Sequence, residues 1–372
     1  MDDSELLAAV ATSTLEDVAS MAKLRKRWNR DEITVAAILV TAREKADGKL
    51  TNAKTLVSDA SGVQQATSTA IAKHKANRFE GSANIVDMCC GIGSDLLALP
   101  SGAIGIDNDP LRCWMAQVNT GKEVSCSDAS TVSLHSDSVV HIDPSRRNSA
   151  GRVFDLEAML PSFSEVVQII APASGGCIKL SPAINPEDLQ PLTHPFEIEY
   201  IEENNRLVQG AVWFGSLQGN EGCVTATSLK LGASYTGFTE TPSFSTEIKS
   251  WVLEPNVALE RAGLHGTLGN QFGAVELAPG IGLLSTDQNP DSPWFTAFEV
   301  LAVTSLRLEK VAAQLRDFGC TQVEVKTRGK TLDPNLWQKK LNKKAQGPLL
   351  TIFALRLGKK RVALITRRYV KL

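Results

Sequence analysis

The sequence predicts an α/β protein: a parallel sheet with crossover helices, preceded by a helical region and followed by a small basic α/β module. Three observations predict it. Short apolar runs alternate with helical stretches through the middle of the chain, the pattern of βαβ units. Aspartates close several of those runs. Lys and Arg crowd the C-terminal end. We divide the 372 residues into 1–80, 81–235, 236–300 and 301–372.

Residues 1–80 read as helical. Leu6–Val10 and Val35–Val40 lie among charged residues at roughly helical spacing, and Gln64–Phe79 reads as one further helix. Strands are expected at Asn84–Cys89, Ala103–Asp107, Val124–Asp128, Val139–Asp143 and Cys177–Leu180. Helices are expected between them at Ser94–Leu99, Pro110–Thr120 and Glu157–Ile170. Asp109-Pro110 is a helix start, with a capping carboxylate followed by a ring that fixes φ. Glu197–Tyr200 and Ala211–Phe214 are expected as edge strands. Residues 215–295 are rich in Gly and Pro and are expected to be irregular β and loops, with 236–300 a connecting segment. Beyond it lie a strand (Phe298–Val303), a helix (Leu306–Phe318), a strand (Gln322–Arg328) and a helix begun by Asp333-Pro334. A hairpin, Leu350–Leu357 with Arg361–Arg368, closes the chain.

Composition excludes several classes. At 43% hydrophobic and 22% charged residues, the chain has material for real cores and is not a disordered tail. No apolar run reaches the ~18 residues of a membrane helix. The start, Met1-Asp2-Asp3-Ser4-Glu5, lacks the basic opening of a secretory signal. Seven scattered Cys without a C-x-x-C pair argue against a disulfide scaffold or a zinc site. A reducing cytoplasm, no membrane and no metal are therefore expected.

Charge is unevenly spread. Ser305–Leu372 holds 17 Lys and Arg against four Asp and Glu, a net +13. The rest holds 22 against 37, a net −15. A basic module on an acidic body points to a polyanion such as nucleic acid; the plainer reading is a solvated basic face.

The segment Val86–Asp95 runs from a strand into a helix with Gly91 and Gly93 at the turn. A dinucleotide fingerprint needs a third Gly where Leu96 stands, and a P-loop needs Gly-Lys-Ser/Thr. Neither is present, which leaves a nucleoside site. Asp107 follows Asp87 by 20 residues and ends the second strand, where a carboxylate accepts ribose hydroxyls. Asp128 ends the third, within reach of an adenine amine, and Asp87 can face a cationic amine. A lone strand-end Asp is commonly just a turn residue; three at successive ends beside Gly-x-Gly are better read as a ligand site.

This stretch resembles the class I S-adenosylmethionine-dependent methyltransferases, with their Rossmann-like sheet. Asp87-x-x-Cys90-Gly91-x-Gly93-x-Asp95 is similar to their first motif, although Asp95 stands where Gly is common. Gly105-Ile106-Asp107-Asn108-Asp109-Pro110 is similar to the second, and Ser127-Asp128-Ala129 to the third. The resemblance implies S-adenosylmethionine as cofactor. It implies cofactor contacts from Asp87, Cys90, Gly91, Gly93, Asp95, Asp107, Asn108, Asp128 and Ala129.

Val139–Asn148 carries the next signal, Asp143-Pro144-Ser145-Arg146-Arg147. Amino-group methylases put Asn/Asp-Pro-Pro-aromatic here, the polar residue holding the amine and the aromatic stacking on the base. Asp143-Pro144 match; Ser145 and Arg146 replace the second Pro and the aromatic. Asp143, Pro144, Ser145 and Arg146 are the candidate catalytic residues. A tight Asp-Pro turn with exposed arginines is the plainer alternative.

Asp-Pro-x-Arg-Arg also resembles a narrower family, bacterial class I methyltransferases with a C-terminal THUMP-like domain. Gln65–Ser68, His74–Phe79, Ile178–Pro182, Val212–Gly215, Leu253–Asn256 and Glu324–Gly329 with Asp333-Pro334 are similar to its segments. The front half is also similar to cap-guanosine methyltransferases, but their Pro-Pro-Trp-Gly-Gly is absent. THUMP domains bind structured RNA, so tRNA or rRNA is the implied partner, methylated at a base nitrogen. Arg147, Lys326, Arg328, Lys339, Lys340, Lys343 and Lys344 are the candidate RNA contacts. Two other readings stand beside this one: an RNA-binding protein with a regulatory or vestigial pocket, and a small-molecule methyltransferase, against which the basic tail argues.

Smaller signals point inward. Cys89 and Cys90 read as small buried residues, His141 as a satisfied core residue, Trp213-Phe214 as core more than a stacking surface, and Trp337 as the anchor of its helix. Lys179, at the end of the fifth strand, is read as structural, with RNA phosphate the alternative.

Overall fold

The computed structural model describes residues 4–14, 17–145, 147–148, 151–152, 155–329, 331–342 and 347–370. The chain divides into two units, Met1–Ile198 with Gln209–Gly222, and Glu199–Val208 with Cys223–Leu372.

The first unit opens with helices α1 (Ser4–Ala11), α2 (Val18–Leu24), α3 (Arg30–Ala46), α4 (Ala60–Gln65) and α5 (Thr69–Ala76). A reciprocal cap starts α3: Asn29 accepts from the Glu32 N–H while the Glu32 carboxylate accepts from the Asn29 N–H. The single helix expected over Gln64–Phe79 is instead broken between α4 and α5, because Ser68 caps a fresh start by accepting from the Ile71 N–H.

The sheet then builds as β1 (Ile85–Met88), α6 (Ser94–Ala98), β2 (Ile104–Asp107), α7 (Pro110–Thr120), β3 (Val124–Cys126) and β4 (Val139–Ile142). Two short strands follow, β5 (Arg147–Asn148) and β6 (Gly151–Arg152), then α8 (Phe163–Ile170) and β7 (Gly175–Leu180). The hairpin β8 (Phe196–Glu203) and β9 (Arg206–Gly215) ends the unit, its outer half lying in the second unit. β3-β2-β1-β4-β7 is all parallel, and β9 joins β7 antiparallel. The order reverses at β1, with β2 on one side and β4 on the other. That is the switch point where open α/β sheets bind ligands, at the carboxyl ends of the strands. Buried β1, β4 and β7 carry apolar runs on both faces, as a covered parallel sheet requires. Trp213 lies fully buried against Phe79 at 6.0 Å, with the Arg78 guanidinium 4.5 Å above its ring, so it is core.

The second unit holds β10 (Val224–Ser228), β11 (Ala233–Gly237), β12 (Trp251–Pro255), α9 (Val257–Arg261), α10 (His265–Asn270), β13 (Val275–Glu276) and β14 (Leu284–Thr286). It continues with β15 (Phe295–Ser305), α11 (Leu308–Asp317), β16 (Gln322–Thr327), α12 (Pro334–Leu341), β17 (Leu349–Leu357) and β18 (Lys360–Arg368). Residues 215–295, expected to be irregular, therefore contain five strands and two helices among the described residues. β12 to β18 form one sheet in the order β13-β14-β12-β15-β18-β17-β16. Segment 236–300 thus supplies strands to the same sheet as the basic module instead of connecting to it. Phe298 and Phe353 meet edge to face at 4.9 Å in its core, and Trp337 packs on the neighbouring cluster as its helix anchor.

Phe353→Ala is expected to cost about 3–5 kcal/mol by opening a cavity against Phe298. Urea unfolding checks this: a lowered midpoint with an unchanged slope is the expected result.

Candidate functional site

A cleft of about 810 Å³ opens in the first unit at the ends of β1, β2, β3, β4 and β7. Its floor is the glycine turn. Cys89, Gly91 and Gly93 all have positive φ, 57°, 57° and 83°, so the chain reverses sharply after β1 and enters α6. Gly93 is not among the cleft residues; a Cβ there would meet Thr120 Cγ2 at 2.7 Å and the Ala116 backbone at 3.2 Å. Its role is close packing on α7, not the expected ligand contact. A Cβ on Gly91 would meet no protein atom within 4 Å, so space is left open above the turn.

Asp107 locks this turn. Its Oδ2 accepts from the Gly91 N–H at 2.8 Å and its Oδ1 from the Asp109 N–H at 3.0 Å. Each oxygen keeps a further lone-pair site for a ribose hydroxyl. Asn108, Cys90 and Ala129 line the same cleft. Asp128 is exposed, caps the short turn after β3 and accepts from the Ser130 hydroxyl at 2.7 Å and N–H at 2.9 Å. Those two bonds hold its carboxyl below the usual range.

Beneath the cleft runs a chain of buried polar groups. Asp87 is fully buried; its Oδ1 lies 2.6 Å from His141 Nδ1. His141 Nε2 is 2.8 Å from Lys75 Nζ, which lies 2.8 Å from Asp95 Oδ1. The Thr67 hydroxyl donates to Asp95 Oδ2 at 2.5 Å and accepts from Lys179 Nζ at 2.8 Å. Lys179 Nζ in turn donates to Asp143 Oδ2 at 2.5 Å. Burial raises the Asp87 carboxyl even though His141 opposes it. Burial acts the same way on Asp95, but the ammonium of Lys75, then His141 and Lys179, outweigh it and hold Asp95 well below the usual carboxylate range. Asp95 raises the Lys75 ammonium against its own burial.

Several expectations change here. Asp95, expected at the cofactor, lines the cleft, but one of its oxygens is paired with Lys75 and the other bonded to Thr67. Asp87 keeps only Oδ2 for a ligand; that buried oxygen has no partner among the described residues. Lys179, read as structural, pairs with Asp143. Asp143, Pro144 and Ser145 line the cleft together, while Arg146 lies outside the described residues, and Arg147 falls in β5. Burial pushes the Cys89 and Cys90 thiols up; Cys90 is buried as expected, whereas Cys89 is half-buried, and both line the cleft.

Other cleft residues were not found by sequence reasoning. Gly62, Gln64, Gln65 and Ala66 bring the N-terminal helices into the wall. A Cβ at Gly62 would meet Ser58 Oγ at 2.5 Å and Arg112 Nη1 at 2.6 Å, so glycine permits that approach. Leu160 and Pro161 supply an apolar wall beside Asp143. Ser145 and Leu160 are joined by two backbone bonds of 2.8 and 3.0 Å. Their only signal in the sequence was a Leu-Pro pair.

Of the predicted RNA contacts, Lys326 is paired with Glu254, and Arg328 with Glu260 at 2.6 Å. Lys339 and Lys340 are exposed on α12, and Lys343 and Lys344 lie outside the described residues. Among the described residues no cluster of three or more His, Cys, Asp or Glu is placed to hold a metal ion. No helix among them is long and apolar enough to cross a membrane.

Residues 295–368 match the family described as THUMP domain-like. Two proteins from different strains of Mycobacterium tuberculosis, each described as an uncharacterized S-adenosylmethionine-dependent methyltransferase, are 29% identical over 304 residues, covering 80% of this chain and 83% of theirs. The crystal structure of a candidate methyltransferase from Porphyromonas gingivalis superposes with a TM-score of 0.79, covering 100% of both chains at 19% identity. At that identity the likeness shows the fold. The chain thus has the α/β fold of a solved methyltransferase, a THUMP-like domain at its C-terminal end, and relatives described as S-adenosylmethionine-dependent methyltransferases. The residues fit that cofactor: Asp87 Oδ2 is a buried acceptor awaiting a donor, Asp107 holds spare acceptor sites, and the space over Gly91 is open.

Asp107→Asn is expected to weaken S-adenosylhomocysteine binding at least about tenfold, since a hydrogen bond to a charged group is worth about 1.5–3 kcal/mol. Isothermal calorimetry reads it; unchanged affinity would remove Asp107 from the cofactor site.

Asp95→Asn leaves Lys75 buried without its counter-charge, expected to cost about 3–5 kcal/mol. Because the Asp95 carboxyl is depressed in the fold, its contribution is present above the unfolded carboxylate pKa of about 4 and is lost as pH falls further. Unfolding midpoints measured from pH 6 to 2.5 should therefore fall less steeply in the variant than in the wild type.

Proposed function

We propose that the protein methylates structured RNA, tRNA or rRNA, at a base nitrogen, using S-adenosylmethionine. One observation carries the reading: Asp143, at the end of β4, lines the same cleft as Gly91, Asp107 and Asp128. Donor-binding and acceptor-binding groups thus share one enclosure.

Asp107 would hold the ribose, Asp128 and Ala129 the adenine edge, and Asp87 Oδ2 the amine. When bound, the cofactor supplies an electrophilic methyl group on a sulfonium. The chain's contribution is to place a nitrogen about 3–3.5 Å from it and in line, where most of the acceleration of such a transfer originates. Asp143 orients the acceptor N–H and takes its proton as the new N–C bond forms. Leu160 and Pro161, with Pro144, offer an apolar face where related amino-group methylases carry an aromatic ring.

Support for an RNA partner lies in the second unit. Arg356 and Arg361 stand directly opposite across the β17–β18 pair, with Lys359 and Lys360 at its turn, and all four are exposed. Like charges placed opposite one another repel, and a phosphate backbone relieves that repulsion. The tip is thus a better phosphate contact than Lys326 and Arg328, whose charges Glu254 and Glu260 already balance.

Labelled methyl groups should pass from S-adenosylmethionine to total RNA from cells lacking the protein, and nucleoside mass spectrometry should identify the product. Asp143→Asn is expected to abolish transfer while leaving S-adenosylhomocysteine binding intact. Lys359→Glu with Arg361→Glu should weaken RNA binding and reduce the slope of log affinity against log salt by about 2. Transfer to a small molecule but never to RNA would overturn the reading.

A further inference from the structure

We propose that Lys179 is a positioning residue of the acceptor site: its ammonium pins Asp143 Oδ2 and so holds the carboxylate in one orientation, with Oδ1, the oxygen that carries no bond, as the one that meets the methyl acceptor. The proposal rests on the reading of Asp143 given above and deepens it.

Lys179 is the penultimate residue of β7, a strand buried along its whole length. Its side chain is 8% exposed, while that of Asp143 is 27% exposed and borders the cleft. Lys179 lines the cleft as well, but as the more deeply buried partner, and Asp143 is the more exposed of the two there. The ammonium cannot swing away. Thr67 accepts one of its protons and donates its own to Asp95, which fixes the direction of every bond in the series. Asp95 is itself held by Lys75, in α5. Three buried groups, Thr67, Asp95 and Lys75, on three separate segments thus help determine the place of one nitrogen.

Stability alone does not account for such a lysine. A buried ion pair recovers little more than its desolvation cost, and apolar replacements of similar volume are often neutral or stabilising. What the arrangement does provide is definition. With Oδ2 engaged by Lys179, and no hydrogen bond among the described residues reaching Oδ1, Oδ1 is the oxygen of Asp143 with both lone-pair sites open to a substrate N–H. The acceptor it suits is a nitrogen carrying hydrogen, held by one bond and free to turn its lone pair toward the methyl group.

The test combines a thermal-stability cycle with single-turnover kinetics. Lys179→Met, Asp143→Asn and the double variant are compared with the wild type as full chains. If the pair is formed, Asp143→Asn lowers Tm much less in the Lys179→Met background than alone. Lys179→Met should bind S-adenosylhomocysteine within about threefold of wild type, keep its KM for RNA and lose roughly 100-fold in single-turnover rate, the scale of an ångström-level misplacement. Methylammonium added to Lys179→Ala should restore rate saturably. Thr67→Val, which removes only the hydroxyl, should give a smaller loss of the same kind and covers the case in which Lys179→Met fails to fold. Additive Tm changes, wild-type turnover in Lys179→Met, or a proportional loss of cofactor binding would each overturn the proposal. A coupled cycle with no methyl transfer to RNA by the wild type would discard RNA as the acceptor and retain the anchoring of Asp143.

Discussion

The arrangement on which the site depends is the buried series Asp87–His141–Lys75–Asp95–Thr67–Lys179–Asp143. Ions taken out of water are stable only when each meets a counter-charge or a well-aimed hydrogen bond. Here the partners come from β1, β4, β7, α5, α6 and the turn before α5. None of these segments can shift without uncovering a charge. The sheet ends are therefore fixed relative to the first helices, and the cleft they border has a defined shape before any ligand arrives. The series has unequal ends. Both ends meet the cleft, Asp87 fully buried with an oxygen still unpaired and Asp143 partly exposed.

Asp107 does a comparable job with less. One carboxylate ties the glycine turn through Gly91 and the start of α7 through Asp109. The same group is then the acceptor offered to a sugar. Coupling loop geometry to ligand recognition in one side chain explains why the turn needs glycine at 91: the backbone must come close enough for its N–H to meet Asp107, at a positive φ that a side chain would strain.

How much of this was legible in the sequence follows from burial. The parallel strands could be read because both their faces are covered, so Ile85–Met88 and Val139–Ile142 are compact, largely apolar runs, and Asp87 within the first and Asp143 just after the second stand out. Lys75 and Thr67 could not. Lys75 sits in the run Lys73-His74-Lys75, which looks like a solvated basic face, yet it is 1% exposed. Spacing in one dimension does not show which charge finds a carboxylate from another element. The strands of 215–295 were hidden for a related reason. Val224–Ser228 is fully buried although rich in Thr and Ser, because Thr227 donates to Glu199 and Ser228 to Glu202. Buried hydroxyls satisfied by buried carboxylates carry no hydrophobic period to read.

The same limit governs the basic tail. A net +13 counts charges without their partners. Lys326 and Arg328 contribute to that count but are neutralised by Glu254 and Glu260, residues upstream of the segment over which it was made. The positive charge left to act on a polyanion is smaller than the count suggests, and part of it is gathered where Arg356, Lys359, Lys360 and Arg361 stand exposed at one strand turn. A site concentrated in this way fixes register on a phosphate backbone better than a diffuse one of equal charge, because each contact is made by a residue on a paired strand or its tight turn.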